Sequence, residues 1–376
     1  MRFAFVLGGS TYQQSLYRVT HDVAQEIERQ GHSVDFIFWE KPGTLDSNDK
    51  YLKIIGLNKE SRFSKLFSKI FIAILGKHFY YYIFSSFFVR QLRRQIGMDN
   101  YDVIFYQGQS CIPMHACSNN HYIVVHSCKY ENLISRYTGV RKKFYGWLYK
   151  KIYSHKKLLT VSEDVKKDML NKVGATPESI EVIHNGFDFD RLRREMRQPP
   201  PEQLPQSYIM AAGRPDRTKR FDILLKAYAK TRRQYPLVIF GEGKRLSALK
   251  QLARELGISG DVIFAGFCAN ILPAFHHAKL YVSSSDVEGL PTVIVESITA
   301  GTPVVATDAG GSYELLRGDL CRWIVPRGNV DALASAIDDI LENPPAVSSE
   351  NIGFLDHRRV ARRYIELGER LKGNTH

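Results

Sequence analysis

Cysteine is scarce, and none of it falls in a metal-binding or redox spacing. The five residues Cys111, Cys117, Cys128, Cys268 and Cys321 are scattered and odd in number. No C-x-x-C pair occurs, so neither a zinc site nor a disulfide framework is indicated. They read as reduced, mostly buried thiols of a cytoplasmic protein. Long apolar runs are missing too. Nothing approaches the eighteen or more uninterrupted apolar residues of a spanning helix. The first apolar run, Phe3 to Leu7, reads as a strand and is too short for a signal peptide. The Gly8–Gly9–Ser10 turn after it lacks the full G-x-G-x-x-G, so no NAD site is read there. No paired-aspartate metal motif stands out, because Asp286 is alone.

Acid is absent from two stretches of the first half. Residues 61–98 carry seven Lys or Arg, no Asp or Glu, and many aromatics. Residues 141–157, RKKFYGWLYKKIYSHKK, have seven Lys or Arg and again no acid. Up to Ile183 the chain has 26 Lys and Arg against 16 Asp and Glu, so this half holds +10 of the formal +13. An excess of that sign suggests an anionic partner. Three readings fit residues 61–98, which read as helical. They are a core helix pair with a solvated basic face, an element lying on an anionic membrane surface, or a nucleic-acid contact. No nucleic-acid-binding motif accompanies the charge, so a membrane surface is the expected partner of 61–98 and 141–157, and nucleic acid is not.

A length of 376 residues suggests two domains. Phe3–Leu7, a helix from about Tyr12 to Arg29 and Ser33–Trp39 form a β-α-β unit, which predicts a parallel sheet. Further strands are read at Tyr101–Tyr106, His121–His126, Leu158–Val161 and Ile180–Ile183. Ser162 reads as the N-cap of a helix starting Glu163–Asp164. Residues 189–206, with Pro199–Pro200–Pro201 and Pro205, read as a surface linker. The second half repeats strand, loop and helix five times, with strands Tyr208–Ala212, Leu237–Phe240, Val262–Ala265, Leu280–Ser283 and Pro303–Thr307. A helix from Phe354 to Leu371 ends the chain. The class is α/β.

Ligands of open parallel sheets bind beyond the carboxyl ends of the strands. Gly213–Arg214, Gly241–Glu242–Gly243, Gly266–Phe267, Ser284–Thr292 and Gly310–Gly311 each follow one of the five strands. Their convergence on one crevice argues for a nucleotide-type ligand. Tyr281 to Gly311 holds two carboxylates, Glu288 in a loop and Glu296 in a short apolar helix, with seven residues between them. A carboxylate beside Val293, Ile294, Val295 and Ile298 is costly to bury without a partner. Each reads either as a solvated or capping Glu, or as a ligand contact. Arg214 and Lys219 lie in GRPDRTKRFD. A cation at a helix start is disfavoured, so Lys219 there suggests an anion between the two. The helix beginning near Pro291–Thr292 offers free N–H groups to a phosphate.

Glu288, Glu296 and the run Gly301–Thr302–Pro303–Val304–Val305–Ala306–Thr307 with Gly310–Gly311 resemble retaining glycosyltransferases of the GT-B fold, family 4. His184–Asp188 is similar to the family's N-G-v-D turn at the domain junction. The resemblance implies two Rossmann-like domains facing a cleft. Residues 1–183 would form the acceptor side, 184–354 the donor side, and about 355–376 would cross back onto the first domain. It implies catalytic roles for Glu288, Arg214, Lys219 and His126. Glu288 would contact the transferred sugar, Arg214 and Lys219 the leaving diphosphate, and His126 the sugar from the other side. Donor binding would fall to Gly9, Gly213, Gly241, Gly243, Gly266, Phe267, Gly289, Leu290, Thr292, Val293 and Glu296, the last on the ribose hydroxyls. Ser127–Cys128 depart from the Asp or Gly that follows the family histidine. The implied reaction is metal-independent and cofactor-free. It moves a sugar from a nucleotide-diphosphate donor, UDP-sugar favoured, to a lipid-linked or saccharide acceptor. The setting is bacterial envelope or lipopolysaccharide synthesis at the inner face of the cytoplasmic membrane. A GT-B nucleotide-sugar epimerase and a non-catalytic adaptor are the alternatives.

Overall fold

The computed structural model describes residues 1–7, 15–38, 52–53, 70–73, 76–97, 100–108, 120–201 and 204–373. Contacts divide the chain into two compact units, Met1–Phe187 with His357–His376, and Asp188–Asp356. The junctions expected after 183 and 354 fall instead after Phe187 and Asp356. The His357 N–H donates to the Phe187 carbonyl at 3.0 Å and ties the two crossings together.

The first unit is built on a seven-stranded sheet in the order β3-β2-β1-β4-β5-β6-β7. Its strands are β1 (Arg2–Leu7), β2 (Ser33–Phe38), β3 (Leu52–Lys53), β4 (Val103–Gln107), β5 (His121–Val125), β6 (Lys157–Thr160) and β7 (Ser179–Val182). All its pairings are parallel, with Phe5 opposite both Phe36 and Phe105. β1, β4 and β5 are apolar and buried along nearly their whole length, as strands covered on both faces must be. The helix His357–Gly373 belongs to this unit because its apolar stripe closes that core. Tyr364 meets Phe105 edge-on at 4.7 Å, and Gly368 lies against Met1 and Phe3.

The second unit holds six parallel strands in the order β10-β9-β8-β11-β12-β13. They are β8 (Tyr208–Ala212), β9 (Leu237–Phe240), β10 (Val262–Gly266), β11 (Ala278–Ser283), β12 (Val304–Thr307) and β13 (Ile324–Val325). β8 pairs with β9 on one side and β11 on the other, so the strand order reverses between β8 and β11. That reversal is where an α/β sheet opens a crevice at its carboxyl edge.

Two expectations need correction. Residues 189–206 are not all linker: Phe189–Met196 is a helix, N-capped by Asp188 onto the Arg191 N–H at 2.9 Å. It buries Phe189, Leu192 and Met196, a stripe that the following proline run obscures. The thiols are not mostly buried either. Cys128 is buried, Cys268 is intermediate and Cys321 is exposed, while Cys111 and Cys117 lie outside the described residues. Among the described residues no helix is long and apolar enough to cross a membrane.

Candidate active site

The site begins with two loops on either side of the β8/β11 reversal. After β8 the chain turns through Gly213 and reaches Lys219 just before the helix Phe221–Lys230. After β11 it runs through Ser284–Pro291 into the helix Thr292–Thr299, which Gly301 ends. Lys219 Nζ donates to Glu288 Oε1 at 2.6 Å, and Ser285 Oγ donates to the same oxygen at 2.6 Å. The pair is part-buried, with side-chain exposures of 23% and 14%. Glycine makes the approach possible on both sides. A Cβ on Gly213 would lie 2.8 Å from Lys219 Cε, and one on Gly310 would lie 2.4 Å from the Glu288 carbonyl oxygen.

The other loops pack onto this pair. Gly241 abuts the Gly213 carbonyl, and Gly243 abuts Pro215 and the Arg214 side chain. Gly266 ends β10 near the Glu242 carboxylate. Phe267 follows it, 73% exposed, a bare aromatic face at the strand ends. The Gly311 N–H donates to the Gly289 carbonyl at 2.9 Å, which joins the last loop to the Glu288 loop. Leu290 is buried. Thr292 and Val293 open their helix without a side-chain cap. Glu296 lies one turn further on. Its charge and that of Glu288 both reach Tyr281, whose hydroxyl burial pushes up and the two carboxylates push further. Asp216 braces the first loop. Burial works to raise its pKa, but hydrogen bonds from Thr218 and Lys219 prevail and hold it below the usual carboxylate range.

Lys219 therefore finds its counter-charge in Glu288, and Arg214 is exposed with no ion pair among the described residues. His126 belongs to the first unit, just past β5, and Gly9 lies outside the described residues. His126 Nε2 is 2.6 Å from Gln107 Oε1 at the end of β4. Burial, with the nearby Lys129 ammonium adding to it, lowers the His126 pKa to about 3, so the ring is neutral at physiological pH. Ser284, Ser285 and Asp286, read only as part of the Ser284–Thr292 loop, and Arg220, not read as a member, bond directly to the pair or to its loops. The serine run before Asp286 was the only local sign of them.

The chain matches the family described as Glycosyltransferase Family 4 over residues 17–191 and the one described as Glycosyl transferases group 1 over residues 193–353. A Campylobacter jejuni relative is named N-acetylgalactosamine-N,N'-diacetylbacillosaminyl-diphospho-undecaprenol 4-alpha-N-acetylgalactosaminyltransferase. It is 24% identical over 258 residues, covering 68% of this chain and 70% of the relative. Among solved structures, Anabaena HepE in complex with UDP superposes with a TM-score of 0.66 at 17% identity, covering 100% of this chain and 99% of that one. WaaG, a glycosyltransferase involved in lipopolysaccharide biosynthesis, gives 0.65 at 16% identity, with 98% of each chain covered. The chain belongs to the family 4 glycosyltransferases of the GT-B fold.

Proposed function

We propose that this glycosyltransferase retains configuration and needs no metal, and that it moves a sugar from a UDP-sugar to a lipid-linked or saccharide acceptor of the bacterial envelope. The observation that carries the reading is the Lys219–Glu288 pair at the strand-order reversal, with glycine turns that let the surrounding loops pack closely against it. Arg214 and Lys219 would offset the charge of the departing diphosphate. Glu288 would accept hydrogen bonds from the sugar and Glu296 from the ribose diol. In the reaction the bond from the anomeric carbon to phosphate breaks and a bond to the acceptor oxygen forms on the same face. The acceptor proton passes to the leaving phosphate. The named activity of the Campylobacter relative supports a lipid-linked acceptor, and HepE's complex supports uridine. In thermal-shift measurements UDP at about a hundred times its Kd should stabilise the protein by roughly 2.7 kcal/mol. A shift with GDP or ADP instead reassigns the base, and no shift with any of the three removes the donor site. Conversion of labelled donor without acceptor would show an epimerase.

The first unit gives the acceptor reading a surface. The helices Lys77–Ile83 and Gly139–Tyr153 join through Phe79 against Phe144 at 5.0 Å and Tyr82 against Trp147 at 6.2 Å. Tyr80, Leu148, Tyr149 and Ile152 are buried, yet Ile83, Phe87, Val140 and Trp147 stand exposed. Lys143, Lys150 and Lys151 are exposed as well. Residues 61–69 lie outside the described residues. Apolar residues beside lysines suit the headgroup plane of an anionic bilayer on the cytoplasmic side, at about 1 kcal/mol per Lys or Arg. Cosedimentation with anionic vesicles should fall as salt rises and be lost with neutral vesicles. Replacing Lys142, Lys143, Lys150 and Lys151 with Ser should weaken it and leave UDP binding intact. Equal binding to neutral vesicles would refute an electrostatic contact.

A further inference from the structure

Arg220 adopts φ +47°, the left-handed backbone that glycine takes freely and an L side chain takes at a cost. Its side chain shows what is gained there. The guanidinium forks onto Asp222, Nε to Oδ1 at 3.2 Å and Nη2 to Oδ2 at 3.2 Å. Its third arm, Nη1, donates to Asp286 Oδ2 at 2.7 Å. Asp286 stands two residues before Glu288, and Arg220 directly follows Lys219. Two more bonds run alongside. The Asp286 N–H donates to the Thr218 carbonyl and Ser284 Oγ to the Lys219 carbonyl, each at 2.8 Å. Arg327 Nη1 donates to the Asp286 carbonyl at 3.0 Å and anchors the loop from its far side.

We infer that Arg220 is a positioning residue: by bridging Asp222 and Asp286 it sets the Ser284–Pro291 loop against Lys219 and aims the Lys219 ammonium at the donor's diphosphate. The inference rests on the donor-site reading above. A brace for the fold alone would not need this geometry. Asp222 keeps Arg245 at 3.7 Å when Arg220 is removed, and Asp286, 34% exposed, can turn to solvent. Glycine at 220 would also relieve the left-handed backbone, so stability and ligand binding should part company.

The test is calorimetry with UDP and UMP on the wild type, Arg220→Gly, Asp286→Ala and Lys219→Ala. If the thermal-shift screen selects guanine, GDP and GMP replace them. Arg220→Gly should melt at or above the wild-type temperature. It should lose about tenfold in UDP affinity and about twofold or less in UMP affinity, because only the diphosphate meets Lys219. Asp286→Ala should show the same collapse of the UDP-to-UMP ratio, and the double variant should be no worse than either single one. An Arg220→Gly protein that keeps the wild-type ratio while Lys219→Ala loses it overturns the inference and leaves the donor site standing. Equal losses for both nucleotides, or a loss matched by a lower melting temperature, also overturn it. A wild-type protein that binds neither diphosphate removes the donor reading and the inference with it.

Discussion

Lys219→Ala should lower kcat/KM by about a hundred- to a thousandfold and leave the far-ultraviolet circular dichroism unchanged. The size follows from where the charge sits. Lys219 is part-buried at the strand-order reversal, and its ammonium is held in place by Glu288 before any ligand arrives. A cation preorganised in this way needs no reorganisation as negative charge builds on the leaving diphosphate, which is the condition for a large electrostatic contribution. Glu288→Gln should behave differently. The amide keeps the shape and the Ser285 bond but loses its charge. Sugar recognition should suffer while UDP affinity holds, whereas Lys219→Ala should weaken UDP itself. A double-mutant cycle separates the roles: two groups that act through one contact give losses that do not add. Activity of Lys219→Ala within a few-fold of wild type would show that the pair is a surface ion pair with no part in the chemistry.

Five strands of the second unit were legible because each has a short, mainly apolar core, and β8, β9 and β10 are closed by Gly213, Gly241 and Gly266. The convergence of the loops was legible because each of the five loops after these strands contains glycine: Gly213, Gly241 and Gly243, Gly266, Gly289, and Gly310–Gly311. The pairing of Lys219 with Glu288 was not. It depends on β8 and β11 lying side by side although 69 residues separate the two groups, and local sequence carries no trace of that adjacency. Arg220 escaped because nothing in its identity favours a left-handed backbone; its bonds to Asp222 and Asp286 hold it there. β3 and β13 have two residues each, too few for any periodicity. The Phe189–Met196 helix was visible in principle, in Asp188 followed by Phe189, Leu192 and Met196, but the prolines beyond it dominated the reading.

Lys129→Met should stabilise the first unit at neutral pH, and the gain should disappear as the pH is raised. Lys129 is 2% exposed, in a segment that looks polar: Ser127, Cys128, Lys129, Tyr130, Glu131. Among the described residues its ammonium hydrogen-bonds only the Ser127 hydroxyl, at 3.3 Å. Burial lowers its pKa to about 8, and the Asp168 carboxylate offsets part of the effect. Asp168 is itself buried. It spends Oδ2 on the Lys129 and Tyr130 N–H groups at 2.6 and 3.1 Å, and its Oδ1 has no hydrogen-bond partner among the described residues. The unfolded lysine titrates near its ordinary 10.5. Between about 8 and that value the unfolded chain holds a proton that the folded chain has released, so wild-type stability rises with pH across this window. Below it both states are charged and the folded protein carries the full net cost of holding the buried charge, roughly 3 kcal/mol. Methionine fills similar space without that charge. The Asp168 attraction acts only on the charged lysine and is already contained in the pKa of about 8, so only the loss of the Ser127 bond subtracts further from the gain. The buried Cys128 thiol, pushed up by burial and by Asp168, makes an opposing contribution, which largely cancels between variant and wild type. Urea unfolding of both proteins at intervals from pH 7 to 10.5 gives the difference directly. It should shrink steadily above pH 8. A difference that stays flat across the window would mean that Lys129 keeps an ordinary pKa and that its ammonium is solvated in the native protein.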